Sequence, residues 1–240
     1  MKLVARFALP LLMLMLAPSP ALAQDPGMAE VMVTGSRITD RDEPGGNRPA
    51  IGLRRTADFA VMYVSIVGDT RETDRRREEI LTMVRSAIDL AGRSGIELST
   101  GDFILAPLTA ANYRTLQMVN DGRPDTDRVT FLIKTRLSGE ADGNAALQRL
   151  QQFVRSVPAN GRAEIRPTGE LTLSVVAPDQ YRGQILDLIA ADSRATALRF
   201  GPNYAVEASG LDRPVEWSRA SPTEVILYVP YSIVVRPAGG

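Results

Sequence analysis

Two units of strand, helix and strand constrain what this chain can fold into. Residues 59–67 (FAVMYVSIV) predict a largely buried strand, because β-branched and aromatic side chains favour the pleated conformation. A helix is predicted next, with its end at Gly92 and Gly95, and residues 103–108 predict a second strand. The apolar positions of this helix follow steps of three and four, which place on one face Ile80, Met83, Val84, Ala87, Ile88 and Ala91.

The second unit repeats this order with little sequence similarity. Residues 129–137 predict a strand, and residues 144–157 a helix that Pro158 and Gly161 end. Residues 163–176 then predict further strand. The apolar face of this helix is Leu147, Leu150, Phe153, Val154 and Val157.

A helix and two strands close the chain. The helix is predicted over residues 178–200, and the strands over 204–208 and 224–235. Pro230 lies inside the last run and indicates an edge position or a bulge there. The inner face of the helix is predicted to carry Tyr181, Ile185, Leu188, Ile189, Ala195 and Leu198. We therefore predict an α+β fold, a mixed or antiparallel sheet on which three helices pack.

The first 23 residues resemble a secretory signal. Lys2 and Arg6 precede an apolar stretch, and Ala21 and Ala23 form a small-residue cleavage site. The stretch is too short to cross a bilayer, and no later segment is apolar enough to do so. We expect a cleaved, periplasmic chain without an integral membrane span, and association with the outer membrane remains open.

Residues 24–56 are rich in Gly, Pro, Asp and Arg and predict a flexible tether. A β-prone island interrupts it at residues 30–38 (EVMVTGSRI), similar to the segment that follows the signal in many TonB-dependent outer-membrane receptors. Two interpretations stay open: an edge strand or adhesive piece of tether, or a strand added to an envelope partner. The candidate contacts for a partner are Val31, Val33, Thr34 and Gly35. The chain is too short to be such a receptor itself.

The composition limits the chemistry. The chain has no Cys and no His, which excludes thiol and imidazole catalysis and nearly every zinc or copper site. We expect no catalytic residue, no metal and no cofactor. Lys+Arg and Asp+Glu are balanced at 28 each, so bulk charge favours no nucleic acid. Lys134 is the one lysine after the predicted signal, and it lies mid-strand without a Ser-x-x-Lys motif.

Trp217, the single tryptophan, lies in a polar stretch. It is either an anchor for a partner or a side chain that covers a sheet edge.

The order of these elements resembles the SIMPL-domain family of exported bacterial proteins over residues 51–236. The resemblance rests on Ala57-Asp58 at the first strand, on Gly95-Ile96 and the acidic and Thr residues up to Phe103, and on the Ala-rich late helix before the strand at Tyr204. It implies a periplasmic or surface-exposed protein that self-associates and serves envelope stress or oxidative tolerance. The family implies no agreed enzymatic activity, so no catalytic residue is carried over.

The sequence therefore predicts a non-enzymatic SIMPL-like protein, self-associating into a homo-oligomer, in cell-envelope maintenance or stress tolerance. The alternative is an adaptor of TonB-dependent outer-membrane transport that donates residues 30–38 as a strand.

Overall fold

The fold is α+β, as predicted, in a computed structural model that describes residues 29–33, 50–137 and 143–238. Within these ranges three α-helices pack against antiparallel sheets: α1 (Thr73–Ser94), α2 (Gly143–Ser156) and α3 (Arg182–Phe200). Each covers apolar strands as the helical spacing predicted. None of the helices in the described ranges is long and apolar enough to cross a membrane.

Six strands pair in a closed ring, and two more extend it. Around the ring the order is β7, β4, β5, β1, β9 and β3, and β3 pairs back with β7. β6 and β8 pair with the far halves of β7 and β3. The bounds are β1 (Glu30–Val33), β3 (Phe59–Gly68), β4 (Ile96–Thr100), β5 (Ile104–Pro107), β6 (Met118–Asn120), β7 (Asp127–Arg136), β8 (Glu164–Pro167) and β9 (Thr172–Val176).

The ring has an inner and an outer face because successive strand residues point to opposite sides. On β3, Phe59 and Val61 point inward, and Ala60 and Met62 point outward. Side chains fill the interior, as expected of so small a ring. The inner apolar cluster consists of Met32, Phe59, Val61, Leu105 and Leu132.

Two further cores cover the outer face. α1 and α2 pack over one side with residues such as Ile80, Leu150 and Phe153. The other side is covered by α3 and by a three-stranded sheet of β2 (Leu53–Thr56), β12 (Glu224–Tyr228) and β11 (Glu216–Arg219). The ring is therefore the centre on which the remaining described elements assemble.

The N-terminal part of the body differs from the predicted tether. Residues 30–33, within the predicted β-prone island, and residues 53–56 are strands that pair inside the chain, so the tether prediction is wrong for residues 53–56. β1 pairs with β9 over all four of its residues and with β5 over Glu30 and Val31, so it is not an edge strand and the edge-strand interpretation is wrong for residues 30–33. Residues 24–28 and 34–49 lie outside the described ranges.

The last predicted strand is two strands in different sheets. β12 ends at Tyr228, and β13 (Ser232–Pro237) pairs with β10 (Tyr204–Ser209). Pro230 lies between the two strands. Proline has no backbone N–H to donate, so it interrupts the ladder of hydrogen bonds that a continuous strand would need. The prediction of one continuous strand over residues 224–235 is therefore wrong.

The end of α1 agrees with the prediction of a stop at Gly95. Gly95 adopts the left-handed conformation (φ 65°) just after the helix, and Gly92 stays within it. Thr70 does not cap the helix: its hydroxyl donates a 2.5 Å hydrogen bond to the carboxylate of Glu79. Glu72 occupies the cap position without a side-chain hydrogen bond.

Candidate functional site

One part of the chain projects from the body without a core of its own. We call it the arm: residues 190–209, which include the second half of α3 and β10, and residues 232–238, which include β13. The arm contains no buried residue. β10 and β13 pack mainly on each other, and β10 also packs on α3.

The second half of α3 is exposed where the sequence predicted burial. Ile185 and Ile189 are buried as expected, but Leu198 is 74% exposed, and Leu188 and Ala195 are exposed as well. The inner face predicted for α3 is therefore wrong at Leu188 and beyond Ile189. The helix continues past the body and packs there only on the ribbon, so its later apolar side chains meet no buried core.

The β10–β13 ribbon has two chemically different faces. Cross-strand pairs share a face, so Val206 with Val235 and Ala208 with Ile233 form an apolar face that is half-buried. The opposite face is solvent-exposed and carries Glu207, whose carboxylate accepts from Arg236 at 3.2 Å. Val234 is directly opposite Glu207 on this polar face and is 48% exposed.

Both outer edges of the ribbon lack a strand partner within the described residues. β10 pairs with β13 alone, and β13 with β10 alone. An isolated two-stranded ribbon is marginally stable in water, and an unpaired edge is a template for another strand. The base of the arm is fixed, because the Arg182 guanidinium on α3 donates to the carbonyl oxygens of Leu211 and Arg213.

Exposed apolar side chains concentrate on the arm. Phe200 and Tyr204 contact each other, with ring centroids 6.1 Å apart, and both are exposed. Together with Leu198 and Val234 they give the arm four large apolar side chains in contact with water. Phe103 and Ile104, at the start of β5, form a smaller second group.

A buried group of polar side chains lies inside the ring, around Lys134. Its ammonium donates to the Glu30 carboxylate, lies 3.3 Å from the Glu97 carboxylate and stands 4.1 Å from the centre of the Phe59 ring. The Ser174 hydroxyl donates to Glu30 at 2.5 Å. Lys134 and Ser174 are buried, and Glu30 is nearly so. This network links β1 to β7, β4 and β9, which carry Lys134, Glu97 and Ser174. The buried charges of the network are paired within the fold.

A cavity of about 250 Å³ lies beside Lys134. Its walls are mainly apolar, from the end of α1 and from β4, and Glu97 and Ser99 add polar atoms. The described residues contain no group of three or more acidic side chains placed to hold a metal ion. The two charged groups of this cavity, Lys134 and Glu97, are paired with each other, so the arm is the stronger candidate site.

Two carboxylates of the body, the covered Asp121 and the exposed Asp69, are held ionised by arginines. The Arg128 and Arg166 guanidiniums donate to Asp121 at 2.7 and 3.0 Å, and the bond from Arg128 is the main cause that lowers the pKa of this carboxyl. The Arg162 guanidinium donates two hydrogen bonds to Asp69 and likewise lowers its pKa. These pairs lie at the ends of β3 and β6, at the start of β7 and around β8, and they stabilise the body rather than the arm.

The residues predicted to contact a partner lie apart from the arm. Val31 and Val33 are buried in the core that α3 covers, so in this structure both serve the chain's own fold. Thr34 and Gly35 lie outside the described residues. Trp217 is half-buried on β11 and packs against the same core, opposite Leu227. A donated-strand role for residues 30–38 would require β1 to leave the ring.

Comparison with known proteins adds no relative. No family model matches the chain, and neither a curated protein nor a solved structure matches it.

Proposed function

We propose that this chain is a non-enzymatic, exported envelope protein of the SIMPL type that works as a self-associated assembly. Its role would be cell-envelope maintenance or stress tolerance, and its compartment the periplasm. The observation that carries the proposal is the arm, which exposes apolar side chains and two strand edges without any buried residue.

The arm supports self-association because its apolar side chains contribute little stability while they remain exposed to solvent. Burial of apolar surface contributes about 25 cal/mol per Å², and the ribbon alone buries little of it. A second protein surface would supply the missing burial and pair the free edges. The half-buried face of Val206 and Val235 and the exposed Leu198 and Phe200 are the groups that would gain most.

The body supports a structural rather than a catalytic role. The buried ion pair of Lys134 with Glu30 ties strands together, and Asp121 is held by arginines at the surface.

Light scattering on the purified chain at micromolar concentration tests the assembly. We expect a mass of at least two chains, and a monomer would contradict the proposal. Replacing both Leu198 and Phe200 by Ser should lower this mass, whereas Phe103→Ser, which removes a side chain of similar exposure (71%) from the body, should leave it unchanged.

A deletion strain tests the envelope role. We expect higher sensitivity to detergent and peroxide, restored by the wild-type gene and by the Phe103→Ser variant but not by the variant with Ser at 198 and 200. Normal tolerance of the deletion strain to both agents would contradict the role.

A further inference from the structure

We infer that two copies of this chain pair through their β13 edges, antiparallel and about a twofold axis at Val234. This inference rests on the proposed self-association and names its interface. The product is a four-stranded sheet in the order β10, β13, β13 of the second copy and β10 of the second copy.

The register follows from the faces of β13. Side chains that lie opposite each other in a strand pair are on the same face of the sheet. The twofold axis must therefore lie between the two copies of one residue, which are then directly opposite each other. An axis at Val234 places Val234 opposite its own copy, Ile233 opposite Val235 and Ser232 opposite Arg236. The half-buried apolar face of each ribbon then continues across the contact, and the exposed Val234 side chains bury each other.

Charge favours the register with its axis at Val234 over the register with its axis at Val235. With the axis at Val234, each Arg236 faces a serine and the two guanidiniums stay far apart. Moving the axis to Val235 would set the two Arg236 side chains diagonally across the contact, where like charges repel.

Charge also disfavours the β10 edge. The two registers that pair most of β10 are centred on Val206 and on Glu207. The first brings the two Glu207 carboxylates diagonally together, and the second sets them directly opposite. A charged side chain on an edge strand opposes pairing, and on β10 that side chain is Glu207, which is solvent-exposed.

The composition of the two strands favours β13 as well. Ile233, Val234 and Val235 form a β-branched run, whereas β10 contains Ala205 and Ala208 around Glu207. β13 is the edge with the higher strand preference and without a charge at its centre.

Geometry favours a closed pair over a continuous stack. If β13 of one copy paired with β10 of the next, successive copies would repeat every two strands, about 10 Å, which is less than the width of the bodies that the arms carry. A twofold axis through β13 reverses the strand direction, so the two bodies lie at opposite ends of the shared sheet. α3 packs on β10, so the two α3 helices lie on the same face of the shared sheet, each beside its own β10.

The absence of Cys from the chain gives a direct test. Residues directly opposite in an antiparallel pair have Cα atoms about 4.5–5.5 Å apart, within the range of a disulfide. We therefore expect the purified Val234→Cys variant to form a covalent dimer under mild oxidation. Glu207→Cys is the matched control: it lies opposite Val234 in the same ribbon, yet in the dimer the two Glu207 positions are three strand spacings apart, about 14 Å.

The outcomes test the β13 interface and self-association independently. A covalent dimer of Val234→Cys without one of Glu207→Cys supports the β13 pair. A multimeric wild-type chain in which Glu207→Cys cross-links, or in which neither variant does, overturns this interface and leaves self-association standing. A monomeric wild-type chain overturns both.

A charge variant gives a second readout that does not depend on oxidation. Val234→Arg would set two guanidiniums against each other at the axis, so we expect a monomer by light scattering with unchanged far-UV circular dichroism. A Val234→Arg chain that keeps the wild-type mass would contradict the β13 pair.

Discussion

β1 and β13 are both short strands rich in valine, yet the fold treats them in opposite ways. β1 lies between two strands of a closed ring, and Val33 is 0% exposed. β13 lies at the edge of a two-stranded ribbon, and Val234 is 48% exposed. The difference shows that position in the sheet, rather than strand composition, decides which segment is stable alone and which needs a partner.

Charge follows the same division. In the ring, Glu30 and Lys134 are withdrawn from water and satisfy each other. In the arm, Glu207 and Arg236 are each more than 60% exposed. A buried pair is costly to break from one side, whereas an exposed pair contributes little.

The largest expected effect comes from a charge placed in the ring. Val33→Asp would bury a carboxylate without a partner among Leu173 and other apolar side chains, and we expect a loss of about 4 kcal/mol or more in the free energy of unfolding. Urea denaturation measures it. The matched change Val234→Asp on the arm should cost less than about 0.5 kcal/mol in the monomer. Equal losses at the two positions would contradict the comparison.

If Val33→Asp does not fold, the milder Val33→Ala allows the same comparison between positions 33 and 234. Truncation of a buried valine should cost about 2 kcal/mol, and Val234→Ala should change stability little.

The second effect concerns the buried ion pair. Glu30→Ala would leave the Lys134 ammonium with Glu97 alone, which is half-exposed, so we expect a loss of about 3 kcal/mol in the free energy of unfolding. The double variant Glu30→Gln with Lys134→Met removes both charges and keeps an acceptor for the Ser174 hydroxyl, so it should recover most of this loss. A double variant as unstable as Glu30→Ala would show that the charge of Lys134 is not the cause.

The fold class could be predicted from periodicity because the elements concerned are long or regularly spaced. Residues 59–67 and the stripe from Ile80 to Ala91 each bury a complete face of their element. The ring could not be predicted, since β1 has four residues and reaches its partners across more than 70 positions of sequence. No local pattern in EVMV distinguishes a central strand from an edge.

The arm could not be predicted either, because here the sequence has a clear local pattern that does not match the burial in the structure. Leu188 and Leu198 have the helical spacing of a core face, so periodicity predicted burial. Whether a helix face meets a sheet depends on where the body ends, and α3 continues past it. The division at Pro230 had a signal in the sequence, but a proline in a strand run indicates an interruption without telling which sheet each half joins.

A third, smaller effect is the dependence of the body's stability on acid. Arg128 and the other arginines lower the pKa of Asp121 in the folded state, so this stabilisation is present above the ordinary carboxyl pKa and is lost as the pH falls through the lowered value. We expect Asp121→Asn to lower the urea midpoint at neutral pH. The difference from the wild type should narrow as the pH falls below about 4. A difference that stays constant across this range would show that the carboxylate charge is not what Asp121 contributes.

The smallest effect is expected in the arm. Glu207→Ala removes the partner of Arg236, but an ion pair between two well-exposed side chains typically contributes about 0–1 kcal/mol and is screened by salt. In the monomeric Val234→Arg background, where the introduced guanidinium also lies opposite Glu207, we expect Glu207→Ala to lower the free energy of unfolding by about 1 kcal/mol or less. The exposed pair of Arg54 with Glu224 in the body, removed by Arg54→Ala, provides the control for a surface pair outside the arm. A loss at Glu207 as large as that at Glu30 would mean that the arm has a cooperative core of its own, and its need for a second copy would then have no physical basis.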